Sequence, residues 1–224
     1  MSERLYSSPA AVIFDMDGLL LDTETLYRDA IVSSCWELGY SILPETHLSM
    51  IGVPTDRVNE ILLDSFGPDF PLVRFYGLCS IYVNTRCREG IPIKPGAHDL
   101  LKALKAKGVP TAVATSTDRK TTTHHLKNIG FLDLLDTVVT RDDVQHHKPH
   151  PETYLAAADR LEVDPVACWA LEDSYNGVRS AHAAGMATIM IPDLLQPTEE
   201  ISSLCVAVMP TLQTVRELVE RTLI

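Results

Sequence analysis

The sequence predicts an α/β protein in which a parallel sheet carries helices on both faces and a small all-helical domain is inserted near the start of the chain. Two observations predict this class. Short apolar segments of strand length alternate with helical patterns after about residue 90, and only helical patterns occur between about residues 20 and 90. Strands that alternate with helices form parallel sheets, because each helical connection returns the chain to the same end of the sheet. The 224 residues are enough for one sizeable core and a small accessory domain.

The first predicted strand, at residues 10–14, is a short apolar run that stops at an acidic turn. Four helical patterns follow it, with apolar residues at spacings of three and four. They lie at about residues 23–38, 44–51, 54–66 and 71–88. Because no strand pattern interrupts them, they predict an all-helical domain over residues 21–90. Residues 1–20 and 91–224 then form the core domain.

Five further strands are predicted in the core domain, at residues 110–114, 137–139, 167–171, 187–191 and 206–208. Helical patterns lie before and between them and after the last, at residues 97–107, 118–128, 151–161, 176–184 and 211–222. Parallel sheets of this kind bind ligands beyond the carboxyl ends of their strands. The helical domain follows the first of those ends, where it is in a position to close over a bound ligand and exclude water.

Composition excludes several classes of function. The formal net charge of −11 argues against nucleic acid as a main partner, because phosphate backbones are held by clusters of Lys and Arg. Five scattered cysteines, without a Cys-x-x-Cys pair, argue against a disulfide framework or a zinc site. No apolar run approaches the about 18 residues of a membrane span, and the first ten residues lack the apolar segment of a signal peptide. We therefore expect a cytoplasmic protein that does not bind membranes.

The first predicted strand ends in a pair of acids, Asp15 and Asp17, followed by Gly18. Alternate residues of a strand point the same way, so both carboxylates are expected to face one pocket. Gly18 permits a sharp backbone turn there. Two close carboxylates repel each other unless a cation or a shared proton lies between them, and an oxygen-rich site of this kind suits Mg²⁺. An acidic turn without a ligand is the simpler interpretation of these residues alone.

Three further sites follow later strands. Thr115 and Ser116 come after the second strand, where hydroxyl and backbone N–H groups hold phosphate oxygens or merely cap a helix. Lys148 precedes a proline and is either a fixed cation near a phosphoryl group or one solvated lysine. Glu172 and Asp173 follow the fourth strand and either bind a cation or favour the N-terminus of the next helix.

The order of these four sites and the helical insertion resemble the haloacid dehalogenase (HAD) superfamily, in its phosphatase and β-phosphoglucomutase-like branch. The resemblance implies a Rossmann-like core, a helical cap inserted after the first strand, and hydrolysis of a phosphomonoester through an aspartyl-phosphate. It implies that Asp15 is the nucleophile, that Asp17 is the general acid and base, and that Thr115, Ser116 and Lys148 bind the phosphoryl group. Asp15, the backbone carbonyl of Asp17, and Asp173 would bind Mg²⁺, with Glu172 as a further ligand or an outer partner.

The lysine segment departs from the family's pattern, because His147 stands where glycine is common and His150 where aspartate is common. With His146 these histidines suggest a transition-metal site. Because His146 and His147 are adjacent and cannot readily converge, we favour instead an effect of pH on the neighbouring site.

A phosphomutase is the nearest alternative. The cap segment 52–55 has Thr55 where the mutase pattern has an arginine that binds a second phosphate, and Arg57 is offset, so a hydrolase is favoured. A dehalogenase is less favoured because that branch lacks the second aspartate, which is present here as Asp17. A phosphonatase is less favoured because we do not find its cap lysine. A binding module on the same fold commonly loses one of the two acids, whereas Asp15 and Asp17 are both present.

The expected partner is a small phosphorylated metabolite, either a sugar phosphate or a nucleoside monophosphate. The overall sequence is similar to pseudouridine-5′-phosphatase-like members of the family. The cap positions considered for contact with substrate are Tyr27, Arg57, Tyr76 and Arg86. We expect a monomer or a weak homodimer.

Overall fold

The computed structural model describes residues 8–51, 53 and 55–222. Six short segments form a parallel sheet: β1 (Val12–Phe14), β2 (Thr111–Ala114), β3 (Thr137–Val139), β4 (Trp169–Glu172), β5 (Ala187–Met190) and β6 (Ala207–Val208). Their order across the sheet is β3-β2-β1-β4-β5-β6. The predicted fold class is confirmed, with all six predicted strands in the sheet.

The fourth strand begins two residues later than the sequence predicts and includes Glu172. The reason is a short 3₁₀ helix at Pro165–Ala167, which includes Ala167, the first residue of the predicted strand, and has Cys168 as its C-cap. The Asp164 side chain accepts a hydrogen bond from the Val166 N–H and so caps this turn. Glu172 is therefore a strand residue, and its position is fixed by the sheet.

Six helices accompany the sheet: α5 (Ala97–Ala106), α6 (Arg119–Asn128), α7 (Glu152–Arg160), α8 (Tyr175–Ala183), α9 (Glu199–Leu204) and α10 (Leu212–Thr222). Sequence analysis missed α9, a helix of six residues. Thr198 caps it by accepting a hydrogen bond from the Ile201 N–H, and buried Ile201 packs it against Val178 and Met190. Among the residues that the structure describes, no helix combines the length and the apolarity that a membrane span needs.

The sheet is covered on both faces because its strands are apolar on both. Ile13, Ala112 and Ala114 pack with Tyr154 and Ala157 of α7 in one cluster of fully buried residues. Strand alternation directs Val12, Phe14 and Val113, also fully buried, to the opposite face. A strand that is apolar on both sides is typical of a parallel sheet.

The chain forms two compact units, of which the second is the helical segment Thr23–Ile91. It contains α1 (Thr23–Glu37), α2 (Pro44–Leu48), α3 (Thr55–Phe66) and α4 (Leu72–Glu89). Tyr40, Phe66, Phe70 and Phe75 form its aromatic centre, with ring centroids 5.0–5.5 Å apart. The role of this unit as a cap stays a prediction. In the segment 52–55, which was compared with the mutase pattern, Gly52 and Pro54 lie outside the described residues.

The first unit contains the sheet. The two segments at which the helical segment leaves and re-enters this unit are paired with each other. Leu21 and Ile93 form an antiparallel bridge. The Asp22 N–H donates to the Pro92 carbonyl at 2.8 Å, and the Lys94 N–H donates to the Leu20 carbonyl at 3.0 Å. The two crossing segments are thus hydrogen-bonded to each other within the unit that holds the sheet.

We expect Asp143→Asn to lower the free energy of unfolding by about 2 kcal/mol at pH 7, because hydrogen bonds to a buried charge are worth about 1.5–3 kcal/mol. The Asp143 side chain is 5% exposed and pairs with Arg119 and Arg160. Burial alone would raise its pKa, but hydrogen bonds from Arg160, Thr140 and Arg119 outweigh burial and hold the pKa below the ordinary 3.8.

Because the pKa of Asp143 is lowered by folding, its contribution is complete above about pH 4 and is lost as the pH falls further. Urea unfolding at pH 7 and pH 3 measures this, and the difference between wild type and Asp143→Asn should be smaller at pH 3. Asp133→Asn, at an exposed acid on a 3₁₀ turn, is the control. An equal difference at both pH values would contradict the ion-pair explanation.

Candidate active site

The carboxyl ends of three neighbouring strands bring the predicted site residues together. β1 lies between β2 and β4, so the chain reverses its direction of progress across the sheet at β1. Asp15 follows β1, Thr115 follows β2, and Glu172 ends β4. Such a reversal opens a crevice beyond the strand ends, which is where α/β proteins bind ligands.

Lys148 joins two of these strand ends. Its ammonium nitrogen lies 2.6 Å from Asp15 Oδ1 and 2.5 Å from Glu172 Oε1. The Lys148 side chain is 5% exposed, and the Glu172 side chain is fully buried. The lysine is therefore a fixed cation rather than a solvated one.

Tyr154 contacts the site residues, and sequence analysis missed it. Its hydroxyl donates to Glu172 Oε1 at 2.7 Å, and the Lys148 ammonium lies 4.8 Å from the centre of its ring. Ser174 Oγ donates to the other carboxylate oxygen of Glu172 at 3.0 Å. Glu172 is thus held by Tyr154 and Ser174 while it binds Lys148, which makes it a positioning residue for the lysine.

Two threonine hydroxyls hold Asp17. Thr117 Oγ1 donates to Asp17 Oδ2 at 2.7 Å, and Thr115 Oγ1 lies 3.3 Å from the same oxygen. Thr115 was predicted, whereas Thr117 was missed, although it stands in the same Ala-Thr-Ser-Thr run. Ser116 lies between them and is exposed, so its hydroxyl and backbone are accessible to a ligand. The hydroxyls fix the orientation of a carboxylate that would otherwise rotate.

The site contains more carboxylates than cationic side chains. Burial raises the pKa of Asp15 well above its ordinary value, and the charges of Glu172 and Asp17 act in the same direction, against Lys148. Burial would lower the pKa of Lys148, but Asp15 and Glu172 outweigh it and raise the pKa. Lys148 therefore stays protonated, and the group still lacks positive charge for its remaining carboxylates.

The oxygens of Asp15, Glu172 and Asp173 lie within 4.8 Å of one another, which fits a hard divalent cation. Two glycines make room for these carboxylates. A side chain on Gly18, whose φ of +82° already favours glycine, would overlap the Asp173 carboxylate, and one on Gly177 would overlap that of Glu172. The backbone thus lies so close to these two carboxylates that only glycine fits at either position.

This fold, with this set of acids, lysine and hydroxyls at the ends of its parallel strands, defines a hydrolase of the α/β class. A family model described as haloacid dehalogenase-like hydrolase matches residues 12–191. The chain belongs to this family, as the motifs predict, and is a phosphatase-type hydrolase.

Its relatives and solved neighbours cover most of the chain. The phosphorylated carbohydrates phosphatase of Thermotoga maritima is 33% identical over 179 residues, which is 80% of this chain and 83% of that protein. The fructose-1-phosphate phosphatase YqaB of Escherichia coli is 30% identical over 185 residues, 83% of this chain and 97% of that protein. A HAD family hydrolase from Deinococcus radiodurans, solved with bound phosphate and sodium, has a TM-score of 0.83 and 26% identity, and the match covers 95% of this chain and 96% of that one.

Proposed function

We propose that the protein is a Mg²⁺-dependent phosphatase that hydrolyses a small phosphomonoester of the sugar-phosphate type through an aspartyl-phosphate on Asp15. The observation that carries this proposal is the pairing of Asp15 with buried Lys148 beside the hydroxyl-held Asp17. The nucleophile and the oriented acid both follow β1, and the fixed cation contacts the nucleophile from the loop between β3 and α7. Phosphoryl transfer needs these three groups.

In the proposed reaction, an Asp15 oxygen attacks the phosphorus atom and forms the aspartyl-phosphate as the ester P–O bond breaks. Asp17 gives a proton to the leaving oxygen and then takes one from the water that hydrolyses the intermediate. Lys148 and the hydroxyl of Thr115, with Ser116 beside it, bind the phosphoryl oxygens. Thr117 keeps Asp17 in place through both steps, since its hydrogen bond of 2.7 Å holds one carboxylate oxygen.

Asp15, the carbonyl of Asp17, and Asp173 would hold Mg²⁺, which when bound supplies positive charge to the phosphoryl oxygens. Glu172 fits the outer role better than that of a direct ligand, because its buried carboxylate already binds the Lys148 cation at 2.5 Å, and Tyr154 and Ser174 hold it in that position. Of the two roles that the sequence leaves open for Glu172, we therefore propose the outer one.

The substrate class that we propose, sugar phosphates, rests on relatives named for their action on phosphorylated carbohydrates and on fructose 1-phosphate.

The cap residue Arg57, offset from the mutase position, is paired with Glu60 at 2.5 Å, and both side chains are more than half exposed. An arginine that already has a carboxylate partner is less available to a second phosphate, which favours hydrolysis over the β-phosphoglucomutase-like reaction.

We expect the purified protein to release phosphate from hexose monophosphates, and removal of Mg²⁺ with EDTA to lower the rate at least about 10²-fold, since metal charge stabilises the transition state by several kcal/mol. The measurement is phosphate release from hexose 1- and 6-phosphates, pseudouridine 5′-phosphate and other nucleoside monophosphates. Adding back Mg²⁺ is the control for damage by the chelator.

The ranking of these substrates identifies the class. Glucose 1-phosphate with a bisphosphate primer is the parallel assay for the mutase. Conversion to the 6-phosphate without net phosphate release would replace the hydrolase by the mutase. Full phosphatase activity in EDTA would contradict the role of Mg²⁺. Absence of both phosphate release and mutase activity would contradict both reactions.

A further inference from the structure

A second cluster of metal-ligating side chains lies on the loop that carries Lys148. It consists of His146, His150 and Glu152, and one ligand atom of each lies within 4.8 Å of the others. It shares no residue with the carboxylate group of Asp15, Glu172 and Asp173. The proposed phosphatase reaction uses none of its three side chains.

The geometry of the cluster is close to that of a three-ligand metal site. His146 Nδ1 lies 2.8 Å from Glu152 Oε2, and His150 Nδ1 lies 3.8 Å from the same oxygen. The two imidazole rings have centroids 4.6 Å apart. Ligands at about 2.0–2.1 Å around a tetrahedral Zn²⁺ lie about 3.3 Å from one another. An ion would replace the hydrogen bond between His146 Nδ1 and Glu152 Oε2 and draw the three ligand atoms to this spacing.

The backbone around the cluster is held in place independently of any ion. The Glu152 carboxylate accepts hydrogen bonds from the Gln145 and His146 N–H groups at 2.8 and 2.9 Å. The His150 N–H donates to the His147 carbonyl at 2.9 Å, and Ser180 Oγ donates to the His150 carbonyl at 2.7 Å. Both histidines are thus anchored at the backbone, which reduces the entropy that an ion has to offset on binding.

The turn explains why the sequence did not favour a metal site. Sequence analysis considered the adjacent pair His146 and His147, whose side chains cannot readily converge. The hydrogen bond from His150 to the His147 carbonyl closes a turn that brings His150, four residues after His146, beside the His146 ring. Glu152 then supplies the third ligand from the first turn of α7.

We propose that His146, His150 and Glu152 form a second metal site, which binds one transition-metal dication of the Zn²⁺, Co²⁺ or Ni²⁺ class. Two imidazoles and one carboxylate suit these ions, whereas Mg²⁺ prefers oxygen ligands alone. The two histidines are exposed, so the ion enters from solvent and retains water in its remaining positions. Because the ligands lie on both sides of Lys148 in the chain, a bound ion ties the lysine loop to the start of α7. The proposal does not depend on the proposed reaction.

The test is a titration with Co²⁺, followed by its visible absorption and by calorimetry, with Mg²⁺ at saturating concentration to fill the carboxylate group. We expect wild type to bind one Co²⁺ per chain with an absorption band typical of nitrogen ligands. Loss of even an outer partner commonly costs about 10–100-fold in metal affinity, so His146→Gln and His150→Gln should each weaken binding at least about tenfold.

Two further variants separate this site from its alternatives. His147→Gln changes an exposed histidine on the same loop and should leave Co²⁺ affinity unchanged. Asp173→Asn removes a carboxylate of the other group and should also leave it unchanged. If His147→Gln weakens Co²⁺ affinity as much as the other two histidine variants do, binding to the histidine-rich loop is unspecific. If Asp173→Asn weakens Co²⁺ affinity, the ion lies among the carboxylates. If wild type does not bind Co²⁺, there is no second site. Each of these results overturns the proposal.

Discussion

Asp15→Asn is expected to lower kcat at least about 10⁴-fold while the protein stays folded, since loss of a catalytic nucleophile commonly costs 10⁴-fold or more. The amide has nearly the shape of the carboxylate, but it does not form the aspartyl-phosphate. Phosphate release from the best substrate of the panel, with Mg²⁺ present, measures the change. Acid-quenched wild type incubated with a labelled substrate should carry label on the protein, and the variant should not.

Asp99→Asn is the matched control, because Asp99 is an exposed acid on α5. It should retain the wild-type rate. Circular dichroism of Asp15→Asn should match that of wild type, which separates loss of chemistry from loss of fold. Wild-type-like turnover by folded Asp15→Asn would remove Asp15 from the role of nucleophile and would leave the carboxylates at the end of β4 as candidates.

Lys148→Met is expected to lower the free energy of unfolding by about 3–5 kcal/mol and kcat by about 10²–10³-fold. The variant leaves the carboxylates of Asp15 and Glu172 buried without the cation that lies 2.6 and 2.5 Å from them. Urea unfolding in EDTA measures stability, and phosphate release measures kcat. Lys102→Met, at an exposed position of α5, is the matched control.

The sign of the pH dependence follows from the raised pKa of Asp15. Burial already raises this pKa above the ordinary 3.8, and the variant loses the opposing charge of Lys148. Because the folded variant binds a proton that the unfolded chain releases, its stability should fall as the pH rises above about 4. The double variant Lys148→Met with Glu172→Gln should regain part of the lost stability. If it is as unstable as Lys148→Met alone, the unpaired carboxylates are not the cause.

Sequence alone was sufficient to predict which residues the structure brings together wherever their immediate neighbours form a recognisable pattern. Asp15, Asp17 and Gly18 stand directly after an apolar strand, and Lys148 stands before a proline, so local pattern indicates each of them. The six strands could be predicted for the same reason, because each is a short apolar run with turn residues beside it. Their parallel arrangement follows from the helices between them.

Sequence failed where a contact depends on residues far away in the chain. Thr117 looks like an ordinary polar residue ahead of a helix, and Tyr154 looks like an ordinary apolar position within one. Only the sheet brings the first to Asp17, one hundred residues earlier, and the second to Glu172. The helix α9 was missed because six residues give too short a pattern to show a period. The role of Glu172 likewise depended on which partners the fold would supply.

The hydrogen-bonded crossing between Asp22 and Pro92 has an evolutionary consequence. Since the chain leaves and re-enters the sheet-bearing unit at two segments that are bonded to each other, that unit closes without the intervening helices. A gene can therefore lengthen, shorten or exchange the sequence between these points without altering the register of any strand. New substrate preferences would then arise in the inserted part, while the acids and the lysine of the sheet-bearing unit are inherited unchanged.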